Sequence, residues 1–380
     1  MQLSQVILQA GADLDAALAP LAAGAPDLVL AFGAVPFFAS PALGAALARV
    51  LPGAAVAGCS TAGEIAVDRV YDHTCIVTAV RFAGSRVQVA ATTIAGMADS
   101  AQAGARLGAG LAHAGLVAVL LFGTGVAING SALVDGLQGA LPPAVTISGG
   151  LAADAGAFTQ TWTLGPDGSF DDQIVAVGLY GERLALGYGS YAGWEPFGPA
   201  RKVTRSVDNV LYELDGERAL DIYKRYLGVY AKDLPGSGLL FPFEMLGAAH
   251  EKSGVFRTIL GVDDAAGSLT LAGNIDADGY LKLMHSTTEK LIDGAETAAR
   301  SAGAGGAPAG ASLAILVSCI GRKLVMGDRV DEEVEAVANL LGKHATVTGF
   351  YSNGEIARSA FHADCRLHNQ TMTITVLSEA

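Results

Sequence analysis

The sequence predicts an α/β protein: two domains built from repeated strand–helix–strand–turn–strand units with mixed sheets. Three observations carry that reading. Short apolar runs of strand length alternate with helical patterns along most of the 380 residues. One turn is written twice, as "AVAGCSTAGEI" at 55–65 and "TVTGFYSNGEI" at 346–356. The composition, with 51% hydrophobic and 16% charged residues, supplies a large aliphatic core, and 49 glycines are available for its turns.

The first unit begins with "DLVLAF" (27–32), a run of buried-strand type, and continues with "SPALGAALARVLPG" (40–53). Ser40 is placed to cap this helix and Pro41 to occupy its first turn. Leu43, Leu47, Val50 and Leu51 fall on one helical face. After the turn, "HTCIVTAVRF" (73–82) reads as a strand. The middle unit repeats the order with "LVAVLLFG" (116–123), "SALVDGLQGALPP" (131–143), "TISGGLAAD" (146–154) and "DQIVAVGLYG" (172–181). Its turn carries Gly-Gly and Asp154 in place of the Glu. The last unit reads "SLAILVSC" (312–319), then the helix "DEEVEAVANLLGK" (331–343) with Asp331 at the cap and acids in its first turn. The second Gly-Glu-Ile follows, then "HNQTMTITVLS" (368–378), where Met372, Ile374 and Val376 alternate with threonines. Crossovers of this length make the first two strands of each unit parallel neighbours, and the returning strand makes the sheet mixed.

The stretch 184–311 departs from the repeat. "DGERALDIYKRYLGVYAKDL" (215–234) reads as an amphipathic helix, and "GSLTLAGNIDADGYLKLM" (267–284) as a hairpin around Asp278-Gly279. "STTEKLIDGAETAAR" (286–300) opens with a Ser286/Glu289 capping box, and "SAGAGGAPAGAS" (301–312) reads as a solvent loop. The boundary is expected near 205, giving domains 1–205 and 206–380.

Bulk properties exclude several classes. A formal charge of −13 disfavours nucleic acid, whose binding needs phosphate-neutralising cations. Mean hydropathy is +0.40, yet the longest apolar stretch (116–128) is interrupted by glycine and too short to cross a membrane. The N-terminus lacks the basic start and apolar core of a signal peptide, so a cytoplasmic location is expected. Cys59, Cys75, Cys319 and Cys365 form no C-x-x-C pair, so neither a metal site nor a disulfide framework is expected. "GCSTA" approximates a nucleophile elbow, but the next strong signal is a strand where an elbow needs a helix. Catalysis is therefore not expected.

The candidate site residues cluster at strand ends. Glu64 and Glu355 could meet a ligand's ammonium group or act as general bases; each could equally cap its own loop. Cys319 ends a strand, Gly321 lets the chain bend, and Arg322 emerges at the edge where α/β sheets collect ligands. Arg322, and Arg257 in "VFRTIL", suit bidentate binding of a carboxylate; a salt bridge is the alternative. A ligand site is thus expected at Arg257, Cys319, Arg322, Tyr351, Ser352, Asn353 and Glu355. A secondary turn site comprises Cys59, Ser60, Thr61, Glu64 and Asp154.

"GCSTAGEI", "SGGLAADAGAF", "YELDGERALDIYKRYLG", "FPF…FRTIL", "SCIGR", "GFYSNGEI" and "LHNQTMTI" occur in the order seen in FIST proteins. The chain resembles that family from about residue 26 to 378, with FIST-N and FIST-C parts. The resemblance implies a sensory protein that binds a small ligand, amino acids among the candidates. It would pass its signal to a separate partner such as a histidine kinase or cyclic-di-GMP enzyme. The resemblance also implies an alternative, because some stand-alone members are haem-binding nitric-oxide sensors. No histidine lies in a C-x-x-C-H site, so haem would be non-covalent, with His368 the first candidate ligand and His285 and His344 behind it. Family members commonly carry an aromatic residue where this chain has Asn353, a departure that bears on ligand preference. A third reading is a ligand-free protein-interaction scaffold.

Overall fold

The apolar runs become buried strands, and glycines among them permit the close approach of the parallel pairs. The computed structural model describes residues 1–303, 310–358 and 364–380, so part of the expected 301–312 loop lies outside the described residues. The first unit comprises β1 (Gln2–Gln9), α1 (Leu14–Ala22), β2 (Leu28–Gly33), α2 (Val35–Phe38), α3 (Ala42–Val50), β3 (Ala55–Ser60), a hairpin β4 (Glu64–Ala66) and β5 (Arg69–Tyr71), and β6 (Thr74–Arg81). The middle unit has β7 (Arg86–Thr93), α4 (Ser100–Gly110), β8 (Leu116–Gly123), α5 (Gly130–Gly139), β9 (Thr146–Leu151), the hairpin β10 (Thr163–Gly165) and β11 (Gly168–Phe170), and β12 (Gln173–Tyr180).

The third unit starts at β13 (Leu184–Tyr191) and is then interrupted. The interruption holds β14 (Glu195–Val207), β15 (Val210–Leu214), β16 (Glu217–Arg218), α6 (Ala219–Leu227), β17 (Phe243–Leu246), β18 (Lys252–Arg257), β19 (Ile259–Asp263), β20 (Ser268–Leu271) and β21 (Tyr280–His285). The unit resumes with α7 (Thr288–Ala302), β22 (Ser312–Cys319), α8 (Ile320–Met326), α9 (Asp331–Leu341) and β23 (Ala345–Ser352). It closes with the hairpin β24 (Gly354–Arg358) and β25 (Cys365–His368), then β26 (Met372–Glu379).

Each unit makes the same four-stranded sheet: β1-β6-β2-β3, β7-β12-β8-β9 and β13-β26-β22-β23. The pairs β2/β3, β8/β9 and β22/β23 are parallel, as the crossover lengths require. Their registers coincide across the units at Gly58, Gly149 and Gly349. A Cβ at each would lie 1.8, 2.0 or 1.9 Å from the carbonyl oxygen of the neighbouring strand, so only glycine fits.

The hairpins are exchanged in a ring. β4–β5 of the first unit extends the third unit's sheet through β23, and β24–β25 of the third extends the second's through β9. The second unit's β10–β11 in turn extends the first's through β3. The inner faces of the three sheets meet in one core around Phe32, Phe122 and Phe350, one aromatic from each unit, with ring centroids 4.7–6.3 Å apart. The paired helices cover the outer faces.

Several sequence expectations change here. The interruption forms its own curved sheet, β18-β17-β21-β14-β15-β20-β19, over α6. The expected hairpin at 267–284 does not form, since β20 pairs with β15 and β19 while β21 pairs with β14 and β17. The expected helix 215–234 is helical only at Ala219–Leu227 before tightening into 3₁₀ turns. Helix α7 is capped by Thr287, whose hydroxyl accepts from the Lys290 N–H, in place of the expected Ser286. Residue 205 lies inside β14, and β13 pairs along its whole length with the C-terminal β26.

Candidate functional site

The duplicated turns look inward. In the first, the buried Glu64 accepts from the Thr61 hydroxyl at 2.5 Å and from the Thr74 N–H and hydroxyl at 3.1 and 2.8 Å. In the second, Glu355 accepts from the Ser352 hydroxyl at 2.8 Å and from the Thr371 N–H and hydroxyl at 3.0 and 2.9 Å. One carboxylate thus ties each turn to the strand that returns after its hairpin, the same way twice. Burial raises the pKa of both, that of Glu355 to about 7. In the middle unit Asp154 caps its own loop, accepting from the N–H groups of Phe158, Thr159 and Gln160. Ser60 donates to Ala153 O and accepts from Trp162 N, and burial drives the thiols of Cys59 and Cys319 well above their ordinary range. These side chains hold the fold together.

Arg322 is committed as well. It does not emerge at a sheet edge; it lies within α8, fully buried, with Nη2 2.6 Å from Glu333 and also bonded to Leu291 O at 2.8 Å. Glu333, in the first turn of α9, also accepts from Tyr351 at 2.5 Å and Ser318 at 3.0 Å. The expected carboxylate clamp is an internal ion pair. Gly321 serves a close approach in place of a bend: a Cβ there would stand 2.3 Å from the Gln370 amide.

A different place is open. After its first parallel strand the first unit has α2 and the third has α8, whereas the middle unit has only the loop 124–129 before α5. The gap is roofed by the interrupting segment and leaves a cleft of about 560 Å³. Its floor is Gly125–Gly130 with Leu151 and Leu367. Its roof is Asn209, Pro235, Leu239, Ile259, Leu260 and 270–273, and its side is Gly156–Phe158 and Asn353. Met97, Phe158 and Leu260 stand exposed on its rim at 45%, 36% and 44%. Ala127 and Phe158 hold left-handed backbone at φ +53° and +52°, local strain of the kind that collects at functional sites. The volume suits a small organic molecule.

Asn353 is the one expected site residue in this lining. Its N–H donates to Leu151 O, just as Ala62 N donates to Tyr351 O and Ala153 N to Ser60 O in the other units. The middle of the molecule thus carries a ring of three equivalent bonds, with two alanines and one asparagine. The odd member lays its amide against the cleft floor, where Nδ2 donates to Gly125 O and the buried Oδ1 has no partner among the described residues. Arg257 lies just behind the wall: a Cβ on the lining residue Gly273 would sit 2.9 Å from its guanidinium carbon. The loop residues and the roof were missed by sequence reading. A usable signal was "GTGVAING", a glycine-bearing loop between a buried strand and a helix capped by Asn129.

The turn His368–Thr371 joins the two parts. Gln370 donates to Leu239 O and Thr258, and Trp194 donates to Gln370 O. His368 is buried, neither ring nitrogen has a partner within hydrogen-bond geometry among the described residues, and burial, then the Arg257 charge, lowers its pKa to about 4. It is not part of the lining, and among the described residues neither a histidine nor a cysteine lines the cleft. The residues present therefore do not fit a haem held there by a proximal imidazole. Among the described residues no cluster of His, Cys, Asp or Glu could hold a metal ion, and no helix is long and apolar enough to cross a membrane.

A family model described as FIST N domain matches residues 27–217, and one described as FIST C domain matches 219–358. No curated protein matches the chain. Among solved structures, a cyanuric acid hydrolase from A. caulinodans is similar at 11% identity and a TM-score of 0.39, over 100% of this chain and 98% of that one. A likeness that slight carries no argument about function.

Proposed function

Because the chain belongs to the FIST family, whose domains are sensory and bind small ligands, we propose that it is a sensor whose ligand occupies the cleft between the middle unit and the interrupting segment. The carrying observation is the cleft itself: it lies where the middle unit lacks the helix that follows the first parallel strand in the other two, beneath a roof from a separate sheet. Ligand contacts to both floor and roof favour one seating of the roof, so binding shifts the population between seatings. The signal leaves through a separate protein such as a histidine kinase or cyclic-di-GMP enzyme. Val229 and Tyr230, 77% and 48% exposed on the interrupting segment, are where that partner would be read.

The same proposal includes a binding role without catalysis, supported by the engagement of Ser60, Glu64 and Glu355 in internal bonds. It places the protein in the cytoplasm, a setting compatible with its four free cysteines. A small-molecule panel followed by thermal unfolding tests it. A ligand that raises the Tm of the wild type should leave Ala272→Trp, which fills the cleft, unmoved. Equal stabilisation of both proteins would put the site elsewhere. For haem, the expected result of a haemin titration is broad, non-saturating absorbance; a sharp Soret band lost in His368→Ala would reinstate that reading.

A further inference from the structure

The cleft has a charge character that its lining alone does not display. Among the described residues none of its walls carries Asp, Glu, Lys or Arg. Two positive features nevertheless lie against it, one in its floor and one just behind its wall. The first is the N-terminus of α5, a ten-residue helix whose Gly130 is both buried and part of the floor. Asn129 caps it by accepting from Ala132 N, which leaves the N–H groups of Gly130 and Ser131 without helical partners.

The second is Arg257, only 5% exposed. Its guanidinium donates to the carbonyls of Asn274 at 3.0 Å, Phe256 at 3.0 Å and Leu367 at 3.2 Å, and to the Ser131 hydroxyl at a long 3.4 Å. Among the described residues one of its five N–H groups has no acceptor, and no carboxylate lies within salt-bridge distance. Asp135 acts on it only at longer range and is shared with Arg366. A buried charge without a counter-charge is costly, and the helix terminus that shares Ser131 with it raises the local potential further. Burial accordingly lowers the Arg257 pKa to about 10. Nothing in the lining offers a carboxylate to an ammonium group, so a zwitterionic amino acid would leave one charge unmet.

Resting on the cleft as the ligand site, we propose that its ligand is an apolar monocarboxylate without an ammonium group. The carboxylate lies against Gly130 and the wall over Arg257, and the hydrocarbon lies along Leu151, Leu367 and Ile259.

Isothermal titration of the full chain with octanoate, octanamide, octylamine and norleucine tests this. Octanoate is expected to bind at least about tenfold tighter than the other three, the scale of a charge at a partly buried helix terminus. Arg257→Gln should lose most of the preference of octanoate over octanamide, and Ala272→Trp should lose octanoate binding. If Arg257→Gln does not fold, the wild-type ranking of the four probes decides alone. Amine, amide or norleucine binding as tightly as octanoate, and blocked by Ala272→Trp, would overturn the carboxylate while leaving the cleft as the site. Octanoate binding unaffected by Ala272→Trp would overturn the cleft, and failure of octanoate to bind overturns the inference.

Discussion

Arg322 and Arg257 are both buried, both sit near strand ends, and both read from sequence as carboxylate clamps. Arg322 meets Glu333 in a pair that is fully shut from solvent, with Tyr351 and Ser318 completing the carboxylate's bonds. Arg257 meets carbonyls and a hydroxyl, with its charge unanswered. The first arrangement is finished and the second is not. Residue type alone does not distinguish a structural arginine from a ligand's arginine. The inventory of its partners, and whether a cavity lies alongside, does.

The sharpest way to break the contrast is Glu333→Ala. It leaves a buried guanidinium beside two buried hydroxyls, and the expected loss is about 4 kcal/mol in urea unfolding. A loss under about 1 kcal/mol would mean the pair is not the closed unit described here. Glu355 sharpens the same contrast through pH, because Arg322 is among the groups acting on it. Its folded pKa is raised by burial to about 7, above the ordinary carboxyl value of 4.5, so the folded state holds the proton more tightly than the unfolded. The contribution is fully present below about pH 4.5 and is lost as pH rises to about 7, a change of about 3 kcal/mol. Glu355→Gln should flatten the decline between pH 5 and 7 in that order of magnitude; parallel wild-type and variant profiles would contradict the assignment.

Arg322→Met and Arg257→Met compare the two arginines directly. The first strands a buried carboxylate and the second does not, so Arg322→Met should cost at least about 2 kcal/mol more. Equal losses would remove the distinction. The smallest effect is expected at Asn353→Ala. Alanine already occupies the two equivalent ring positions, so stability should change by less than about 0.5 kcal/mol, while ligand affinity changes. A loss of several kcal/mol would make Asn353 a structural residue.

The repeated units were legible because buried strands write continuous apolar runs and because Gly-Glu-Ile recurs. The outer strands β1, β7 and β13 were not, since their half-exposed residues mix polar and apolar types without strict alternation. The exchange of hairpins was invisible because each pairing spans residues far apart in the chain, as in Phe350 against Glu64. Glu333 was visible only as one of three acids suited to the start of a helix. Its role as the counter-ion of Arg322 depends on how α8 and α9 fold back. The cleft was missed because an absent helix leaves no residues to read.

The ring of exchanged hairpins carries one more consequence. A single unit, cut free, would present a strand with nothing to complete it and a hairpin with nowhere to dock, and three copies would satisfy one another. The duplicated module is therefore self-complementary in threes, and joining the copies in one chain converts assembly at a given concentration into assembly at fixed stoichiometry. It also releases each copy to diverge. One could gain an interrupting segment, one could lose a helix, and one alanine of three could become an asparagine, without disturbing the closure that the other positions maintain.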